Sequence, residues 1–215
     1  IKTEIEVLRR DKKINPSEAR ELLESNLEEV DKLIQLSEML LNLSRLDYDH
    51  LEKKRLNMSV VLIDALKNFK HSAQRFELTT RKDMIVEGNR GALVELMTVL
   101  IDNALKYSDP HSKITIRIFQ KKLMAGFEIS NQGPIIPENA LPHLFERFYR
   151  ADISRTNSTK NGYGLGLAIA KKIVDVHHGD ISVSSKDSLT TFTFFLPIQK
   201  VASKQRVTTG KITTK

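Results

Sequence analysis

The most informative stretch of this sequence is Asn161-Gly162-Tyr163-Gly164-Leu165-Gly166-Leu167-Ala168-Ile169-Ala170. It places three glycines at alternate positions, directly before an apolar pattern with helical spacing. Glycine lets the backbone approach a ligand closely, and a helix amino terminus presents unpaired N–H groups and partial positive charge. The stretch therefore predicts an anion site, most often one for phosphate, at the start of a helix over residues 165–177.

The glycine pattern differs from two well-known phosphate-binding motifs. Leu167 stands where the dinucleotide fingerprint needs its third glycine, and no strand precedes the run. No Gly-Lys-Ser/Thr follows, as a P-loop would require. We interpret the run as a lid-to-helix turn; the alternative is a flexible loop before an ordinary helix.

A second candidate segment is the end of a helix predicted over Arg90–Tyr107. Asn103, Lys106 and Tyr107 lie on one face of that helix. An amide oxygen can ligate Mg²⁺, a lysine can neutralise phosphate, and an aromatic ring can stack on a base. Taken alone, these residues are also compatible with ordinary solvated side chains near a helix end.

Two further segments can contribute to the same site. Ser130-Asn131-Gln132-Gly133-Pro134 ends a strand, and an Asn there can accept a hydrogen bond from the exocyclic amine of a base. The alternative is an ordinary Asn–Gly turn. In Leu144-Phe145-Glu146-Arg147-Phe148-Tyr149-Arg150, both phenylalanines can anchor a mobile lid and both arginines can face phosphate oxygens. The alternative is a small surface helix with a buried aromatic pair.

The amino-terminal part of the chain is predicted to be helical. Residues 1–14 form one helix, and Asn15-Pro16-Ser17-Glu18 has the cap, proline and glutamate of a helix start. The second helix runs to Leu46 with an apolar stripe that includes Leu23, Leu27, Val30, Ile34 and Leu41. So long a stripe predicts that residues 1–46 are a helical hairpin, half of a dimeric four-helix bundle. The alternative is a helix packed on its own globular domain.

The rest of the chain predicts a second domain over residues 56–198, after a charged linker over 47–55. Ser59 is predicted to cap a helix whose core face includes Leu62, Ala65, Leu66 and Phe69. Strands are predicted over 76–80, 84–87, 114–119, 124–130, 180–184 and 191–196. The whole is an α+β fold, in which the hairpin precedes an α/β sandwich with a mixed sheet covered on one face by helices. The long segment 131–162 predicts a functional loop such as a lid.

Composition excludes several functional classes. The chain has no cysteine, so disulfides and cysteine-based zinc sites are excluded, and its six histidines show no metal-binding spacing. No apolar run approaches the ~20 residues of a membrane span. The net charge is +7, but residues 199–215 hold five basic side chains and no acidic one. We therefore expect a disordered basic tail and no nucleic-acid binding by the folded part.

Taken in chain order, the segments at 103–107, 130–134, 144–150 and 161–170 resemble the N, G1, F and G2 boxes of the sensor histidine kinases, in the superfamily that includes gyrase, a heat-shock chaperone class and mismatch-repair ATPases. The resemblance covers Ile1 to about Ile198 and implies a GHKL-type domain that uses ATP and Mg²⁺. It implies that Asn103 is the magnesium ligand. The nucleotide site that it implies consists of Asn103, Lys106, Tyr107, Asn131, Gly133, Ile136, Phe145, Arg147, Arg150, Gly162, Gly164, Leu165, Gly166 and Leu167.

Three positions depart from the pattern of that family. Asn131 stands where the family has an Asp that accepts from the adenine amine, Ile135 replaces a glycine, and Val99 replaces the first Asn of the N box. An amide accepts without charge assistance, which predicts weaker binding by about 1 kcal/mol.

The resemblance also implies partners. They are a second copy of this chain through the hairpin and the receiver domain of a response regulator. The family's phosphoacceptor His lies upstream of a segment like residues 1–6, and no His precedes His50. We therefore expect the acceptor before Ile1 and a first helix that is truncated, and we assign no catalytic residue within the chain. Such a fragment is expected to bind ATP without autophosphorylating. It would be the soluble cytoplasmic part of a bacterial sensor, with membrane contact only through upstream segments.

Two other functions remain open. One is a degenerate ATP-binding module that docks a response regulator as a scaffold or phosphatase. The other is a clamp-type ATPase, which would need a glutamate on the N-box helix to activate water. Val99 occupies the place that this mechanism requires, and Glu95 lies farther up the helix.

Overall fold

The computed structural model describes residues 52–81, 84–151 and 164–199 and, nearer the amino terminus, residues 15, 17, 19–27, 30 and 37. The chain divides into two compact units, Ile1–His50 and Leu51–Lys215. The division falls inside the predicted linker. Among the described residues, no helix combines the length and the apolar character that a membrane span needs.

The amino-terminal unit is helical wherever it is described after Asn15. The side chain of Asn15 accepts a hydrogen bond from the Ser17 N–H at 3.1 Å, so the helix begins where the sequence predicts. Leu23 and Leu27 of the apolar stripe are 58% and 63% exposed. Ile34, Leu41 and residues 1–14 lie outside the described residues, so the hairpin and its dimerisation stay predictions.

In the described part of the second unit, short strands alternate with three α-helices. Its elements are β1 (Lys54–Asn57), α1 (Met58–Leu66), a 3-10 segment (Lys67–Arg75), β2 (Phe76–Thr80), β3 (Ile85–Gly88), α2 (Arg90–Tyr107), β4 (Ile114–Lys121), β5 (Met124–Gln132), a 3-10 turn (Leu141–His143), α3 (Gly166–Val176), β6 (Asp180–Lys186) and β7 (Leu189–Pro197).

Five strands form a mixed sheet in the order β2-β4-β5-β7-β6. Strand β2 runs parallel to β4, and the other neighbours are antiparallel. The register places Ile116 opposite Ile129, which lies opposite Phe192. Since side chains alternate between faces, these three residues share the buried face, as the alternating pattern predicts.

The core lies between this face and the helices. The rings of Phe127 and Phe194 stack at a centroid distance of 4.9 Å on the helix side of the sheet. Helix α2 packs between α1 and α3 and has six residues with no exposed surface or almost none: Leu93, Leu96, Met97, Leu100, Ile101 and Ala104. Burial of an apolar side chain contributes about 1.5–3 kcal/mol, so α2 is firmly held. The α+β fold with a mixed sheet is confirmed.

A small second sheet corrects the predicted linker. Lys54 and Arg55, assigned to the linker, belong to β1, which pairs antiparallel with β3. The predicted strand over 84–87 is therefore real but forms no part of the main sheet. The linker was predicted from the charged side chains of this segment. The pairing with β3 is made by backbone groups, which those side chains do not reveal.

Three smaller predictions are also wrong. Asn57, not Ser59, caps α1, because its side chain accepts from the Ser59 N–H at 2.9 Å. Phe69 lies beyond α1, has non-helical backbone angles and is half-buried. Gln199, assigned to the tail, donates from its backbone to the Ile85 carbonyl at 3.0 Å. Residues 200–215 lie outside the described part.

Candidate functional site

One face of α2 forms the centre of the candidate site. The helix begins at an Asn89 cap, which accepts from the Ala92 N–H at 3.0 Å. Val99, Asn103 and Tyr107 then follow one another at single-turn spacing on the same face, and all three are half-buried. The packed opposite face of α2 fixes their direction. This face can therefore present an amide and a phenol to a ligand.

Lys106 lies beside Tyr107, with its Nζ 5.5 Å from the centre of the phenol ring. A cation at that distance is attracted to the negative face of the ring. Burial raises the pKa of Tyr107, while the nearby Arg150 lowers it and Asp102 raises it. Arg150 is thus close enough to act on the Tyr107 hydroxyl, as expected of a residue that borders the same site.

The amino terminus of α3 meets this face one turn before Asn103. A Cβ added at Gly166 would lie 3.3 Å from Cγ1 of Val99. Among the described residues no side chain caps α3, and the preceding residue, Leu165, is 1% exposed. The first N–H groups of a helix have no partner within the helix, so they can bind an anion here. The predicted meeting of the glycine run with the Asn103 helix is therefore observed at Gly166.

The segment 144–150 and the glycine run are joined beside α3. The Phe148 N–H donates to the Gly164 carbonyl at 2.9 Å. Gly164 has a φ of +70° and Phe148 a φ of +65°. A positive φ suits glycine but strains an aromatic residue, so the surrounding structure must hold Phe148 there. Gly162 and the rest of 152–163 lie outside the described residues.

The aromatic anchors of segment 144–150 behave differently from each other. The Phe145 ring meets the buried Phe192 ring edge to face at 6.4 Å, which agrees with a role as an anchor. Phe148 is 57% exposed, so its predicted anchoring is wrong. The positive φ of Phe148 interrupts helical geometry, and the predicted i, i+3 spacing does not apply. Arg147 and Arg150 are both exposed and available to phosphate oxygens.

The end of β5 forms the opposite border of the site. Asn131 is only 3% exposed and lies between Ile114 of β4 and Thr190 of β7 in the sheet register. A Cβ added at the buried Gly133 would lie 2.2 Å from the Tyr107 carbonyl oxygen. Gly133 therefore lets the chain after Asn131 pass directly against the end of α2.

The loop after Gly133 is fixed by the hairpin between β6 and β7. The Gly133 N–H donates to the Ser188 carbonyl, and the Ile136 N–H donates to the Ser185 hydroxyl, both at 2.9 Å. Ile135 between them is 50% exposed. Neither serine was predicted as a site residue. The turn residues Asp187-Ser188 mark the hairpin in the sequence but not its partner loop.

The structure thus brings most predicted residues to one region. Asn103 lies on the α2 face between the contact with Gly166 and the end that meets Gly133. Lys106, Tyr107, Asn131, Arg150, Leu165 and Leu167 belong to the elements that border this region. Among the described residues, no group of three or more His, Cys, Asp or Glu side chains could hold a metal.

Comparison with known proteins gives a consistent result. The profile of the family described as histidine kinase-, DNA gyrase B-, and HSP90-like ATPase matches residues 88–200. The heme sensor protein HssS of Staphylococcus haemolyticus is 35% identical over 190 residues, which are 86% of this chain and 41% of that protein. The signal transduction histidine-protein kinase ArlS of Staphylococcus epidermidis is 33% identical over 204 residues, which are 92% of this chain and 44% of that protein.

Solved structures agree with these relatives. The Acinetobacter baumannii histidine kinase AdeS matches with a TM-score of 0.67 and 26% identity, over 93% of this chain and 97% of that one. The mycobacterial sensor histidine kinase MprB matches with a TM-score of 0.60 and 28% identity, over 69% of this chain and 99% of that one. The chain spans less than half the length of the two curated relatives, HssS and ArlS.

Proposed function

Because the chain belongs to the family of histidine kinase-, DNA gyrase B- and HSP90-like ATPases, we propose that it is the catalytic, ATP-binding part of a sensor histidine kinase. ATP would bind on the α2 face, between the end of β5 and the start of α3. The base would lie near Asn131 and Tyr107, and the phosphates near Lys106 and the amino terminus of α3.

The buried side chain of Asn131 carries this proposal. It is 3% exposed at the end of β5, and buried polar side chains are found where a protein, water or ligand group forms a hydrogen bond with them. The carboxamide oxygen can accept from the exocyclic amine of adenine. Tyr107 lies on the neighbouring element, and the Gly133 contact brings the two elements together.

The side chains present also fit a magnesium ion. Mg²⁺ keeps several waters and needs only one or two protein oxygens when phosphates supply the rest. The half-buried Asn103 offers one amide oxygen on the site face, and Asp102 is the exposed carboxylate next to it. The bound ion would neutralise phosphate charge. Lys106, 5.5 Å from the centre of the Tyr107 ring, and Arg150 would add positive charge near Tyr107.

The proposed reaction is phosphoryl transfer rather than hydrolysis. The bond between the γ-phosphorus and its bridging oxygen breaks, a bond to an imidazole nitrogen of the acceptor histidine forms, and ADP leaves. The phosphoryl group then passes to an aspartate of a response regulator. Such transfer depends on positioning and charge neutralisation, which this face supplies.

Two features of α2 support transfer over water activation. The apolar side chain of Val99 lies beside Gly166, where a general base would be needed. Glu95, the nearest glutamate on the helix, is half-buried, and burial raises its pKa. A carboxyl one turn farther from the site cannot reach a water there. Steady ATP hydrolysis without a phosphorylated intermediate would contradict this interpretation.

Calorimetric titration with ATP tests the proposal. We expect micromolar binding in the presence of Mg²⁺ and a loss of about tenfold or more in Asn103→Ala, equivalent to about 1.4 kcal/mol. With the metal chelated, the two proteins should bind alike. The matched control is Asn68→Ala, an exposed Asn in the 3-10 segment, which should leave affinity unchanged.

The outcomes separate the two candidate functions. Absence of binding at millimolar ATP in the unaltered chain would favour a degenerate module that docks a response regulator. ATP binding that is equal in Asn103→Ala and the unaltered chain, with Mg²⁺ present, would show that Asn103 does not hold the metal.

A further inference from the structure

Arg75 makes an unusual set of contacts at the end of the 3-10 segment. Its Nη2 donates to the Ser108 hydroxyl at 2.7 Å, to the Asp109 carbonyl at 2.8 Å and to the Ser112 carbonyl at 3.1 Å. Its Nε donates to the same Ser112 carbonyl at 3.2 Å. One guanidinium therefore holds both ends of the turn that joins α2 to β4. Arginine suits this task because its donors form a rigid planar fork.

The turn also reaches back to the segment that carries Arg75. Lys113 Nζ donates to the Gln74 carbonyl at 2.8 Å, so the two segments hold each other in both directions. Inside the turn, the Ser112 N–H and hydroxyl both donate to the Asp109 carbonyl, at 3.1 and 2.9 Å. The turn is thus closed by its own hydrogen bonds. Arg75, which belongs to the 3-10 segment, holds the turn from outside.

The same turn touches the candidate site at two points. Ser108 closes α2, since its N–H donates to the Ala104 carbonyl at 3.0 Å. The Asp109 N–H donates to the Gln132 carbonyl at 2.9 Å, between Asn131 and Gly133. Together with the close passage of Gly133 against the Tyr107 carbonyl, these bonds fix the separation of α2 and the end of β5.

We infer that Arg75 is a positioning residue for the base-binding side of the site: through the turn at 108–112 it sets the distance between Tyr107 and Asn131. This inference rests on the proposed function. Arg75 touches no part of the α2 face itself and acts only through Ser108, Asp109 and Ser112. Without the hydrogen bonds of Arg75, α2 and β5 can separate where the nucleotide base would bind. Asn103, a full turn earlier on α2, stays in place.

A pair of arginine variants tests this role. Arg75→Met keeps the aliphatic stem and removes all four hydrogen bonds. The matched control is Arg117→Met on the outer face of the sheet, where Arg117 pairs with Glu128 at 3.1 Å and lies over the Phe119 ring. Both changes remove one positive charge. Arg75→Lys, which retains the charge but not the fork, gives a second variant if Arg75→Met does not fold.

The first measurement is nucleotide selectivity. We expect the Kd of ATP to rise about tenfold in Arg75→Met, with the Kd of GTP, which lacks the adenine amine, changed less than twofold. Arg117→Met should change neither value. An unchanged Kd for ATP would overturn the inference. A parallel loss of both affinities together with lower stability would show a merely structural role and overturn it as well.

The second measurement needs no nucleotide. Amide hydrogen exchange of Asp109 and Gly133 should become at least about tenfold faster in Arg75→Met and stay unchanged in Arg117→Met. Unchanged exchange at both amides would overturn the role of Arg75. Absence of ATP binding in the unaltered chain, with faster exchange in Arg75→Met, would instead refute the proposed function and leave the mechanical coupling established.

Discussion

Replacing Gly133 with alanine should weaken both the fold and the nucleotide site. The added Cβ would lie 2.2 Å from the Tyr107 carbonyl oxygen, 3.3 Å from the Tyr107 carbonyl carbon and 3.5 Å from the Ser108 Cα. Non-bonded heavy atoms pack favourably at about 3.5–4 Å, so the backbones must separate by about 1 Å. Neither backbone can move freely. The Gly133 N–H donates to the Ser188 carbonyl, and the turn that follows α2 is bonded to the end of β5 by the Asp109 N–H.

The size of the effect follows from that overlap. Overpacking a well-packed site costs about 1–3 kcal/mol, and a clash with backbone belongs to the upper half of this range. For a domain of this size, a loss of about 2 kcal/mol lowers the melting temperature by roughly 4–8 °C. The same separation moves Asn131 away from Tyr107, so we expect the Kd of ATP to rise as well.

Gly91→Ala is the matched control. Gly91 is exposed in the first turn of α2, and its nearest contact, 3.4 Å to the Asn89 side chain, is an ordinary one. Alanine favours a helix over glycine by up to about 1 kcal/mol, so this variant should melt at or above the temperature of the unaltered chain. Thermal unfolding followed by circular dichroism measures both. Melting of Gly133→Ala at the unaltered temperature would refute the argument from close approach.

Two further changes should be measurable. Burial lowers the pKa of His177, whose Nδ1 donates to the Ile173 carbonyl at 2.7 Å and whose Nε2 accepts from the Asn89 N–H at 3.1 Å. The contribution of neutral His177 to the free energy of unfolding should be complete above the unfolded-state pKa of about 6.5 and should decrease as the pH falls towards the lower pKa of the folded state. Urea unfolding between pH 5 and 8 should show this pH dependence of stability, and His177→Gln should reduce it. Gly164→Ala places a Cβ 2.6 Å from the Tyr149 carbonyl at a φ of +70°, so ATP titration should show weaker binding by about tenfold, and equal affinity would contradict a role for this backbone geometry.

The parts of the fold that were predictable depend on local chemistry. Helix α2 has the predicted bounds, Arg90 and Tyr107, because its apolar periodicity is long and a Ser-Asp-Pro sequence follows it. Strand β4 was recognised from its strict alternation of isoleucine with other residues. In such segments, each residue's own preference agrees with the final structure, so a single sequence is enough.

The parts that were not predictable depend on partners far along the chain. Strand β1 has no alternation and exists because β3 pairs with it, and Asn57 caps α1 in place of the equally suitable Ser59. Nothing near Arg75 in the sequence indicates that its fork closes the turn at 108–112. Such contacts join residues that are close in space but far apart in the sequence, and the periodicity of a single segment does not indicate them.

The glycines show why recognising a motif is not the same as explaining it. From the sequence, the alternating glycines predicted a lid-to-helix turn with an unusual backbone, yet only Gly164 among the described ones has a positive φ. Gly166 and Gly133 instead allow close approach, to Val99 at the start of the site face and to Tyr107 at its end. Two elements pressed against the same helix at both ends of one face leave Asn103 between them. The absence of a side chain at Gly133 and at Gly166 therefore determines the shape of the site. Replacing either glycine with alanine tests this more directly than removing a polar side chain.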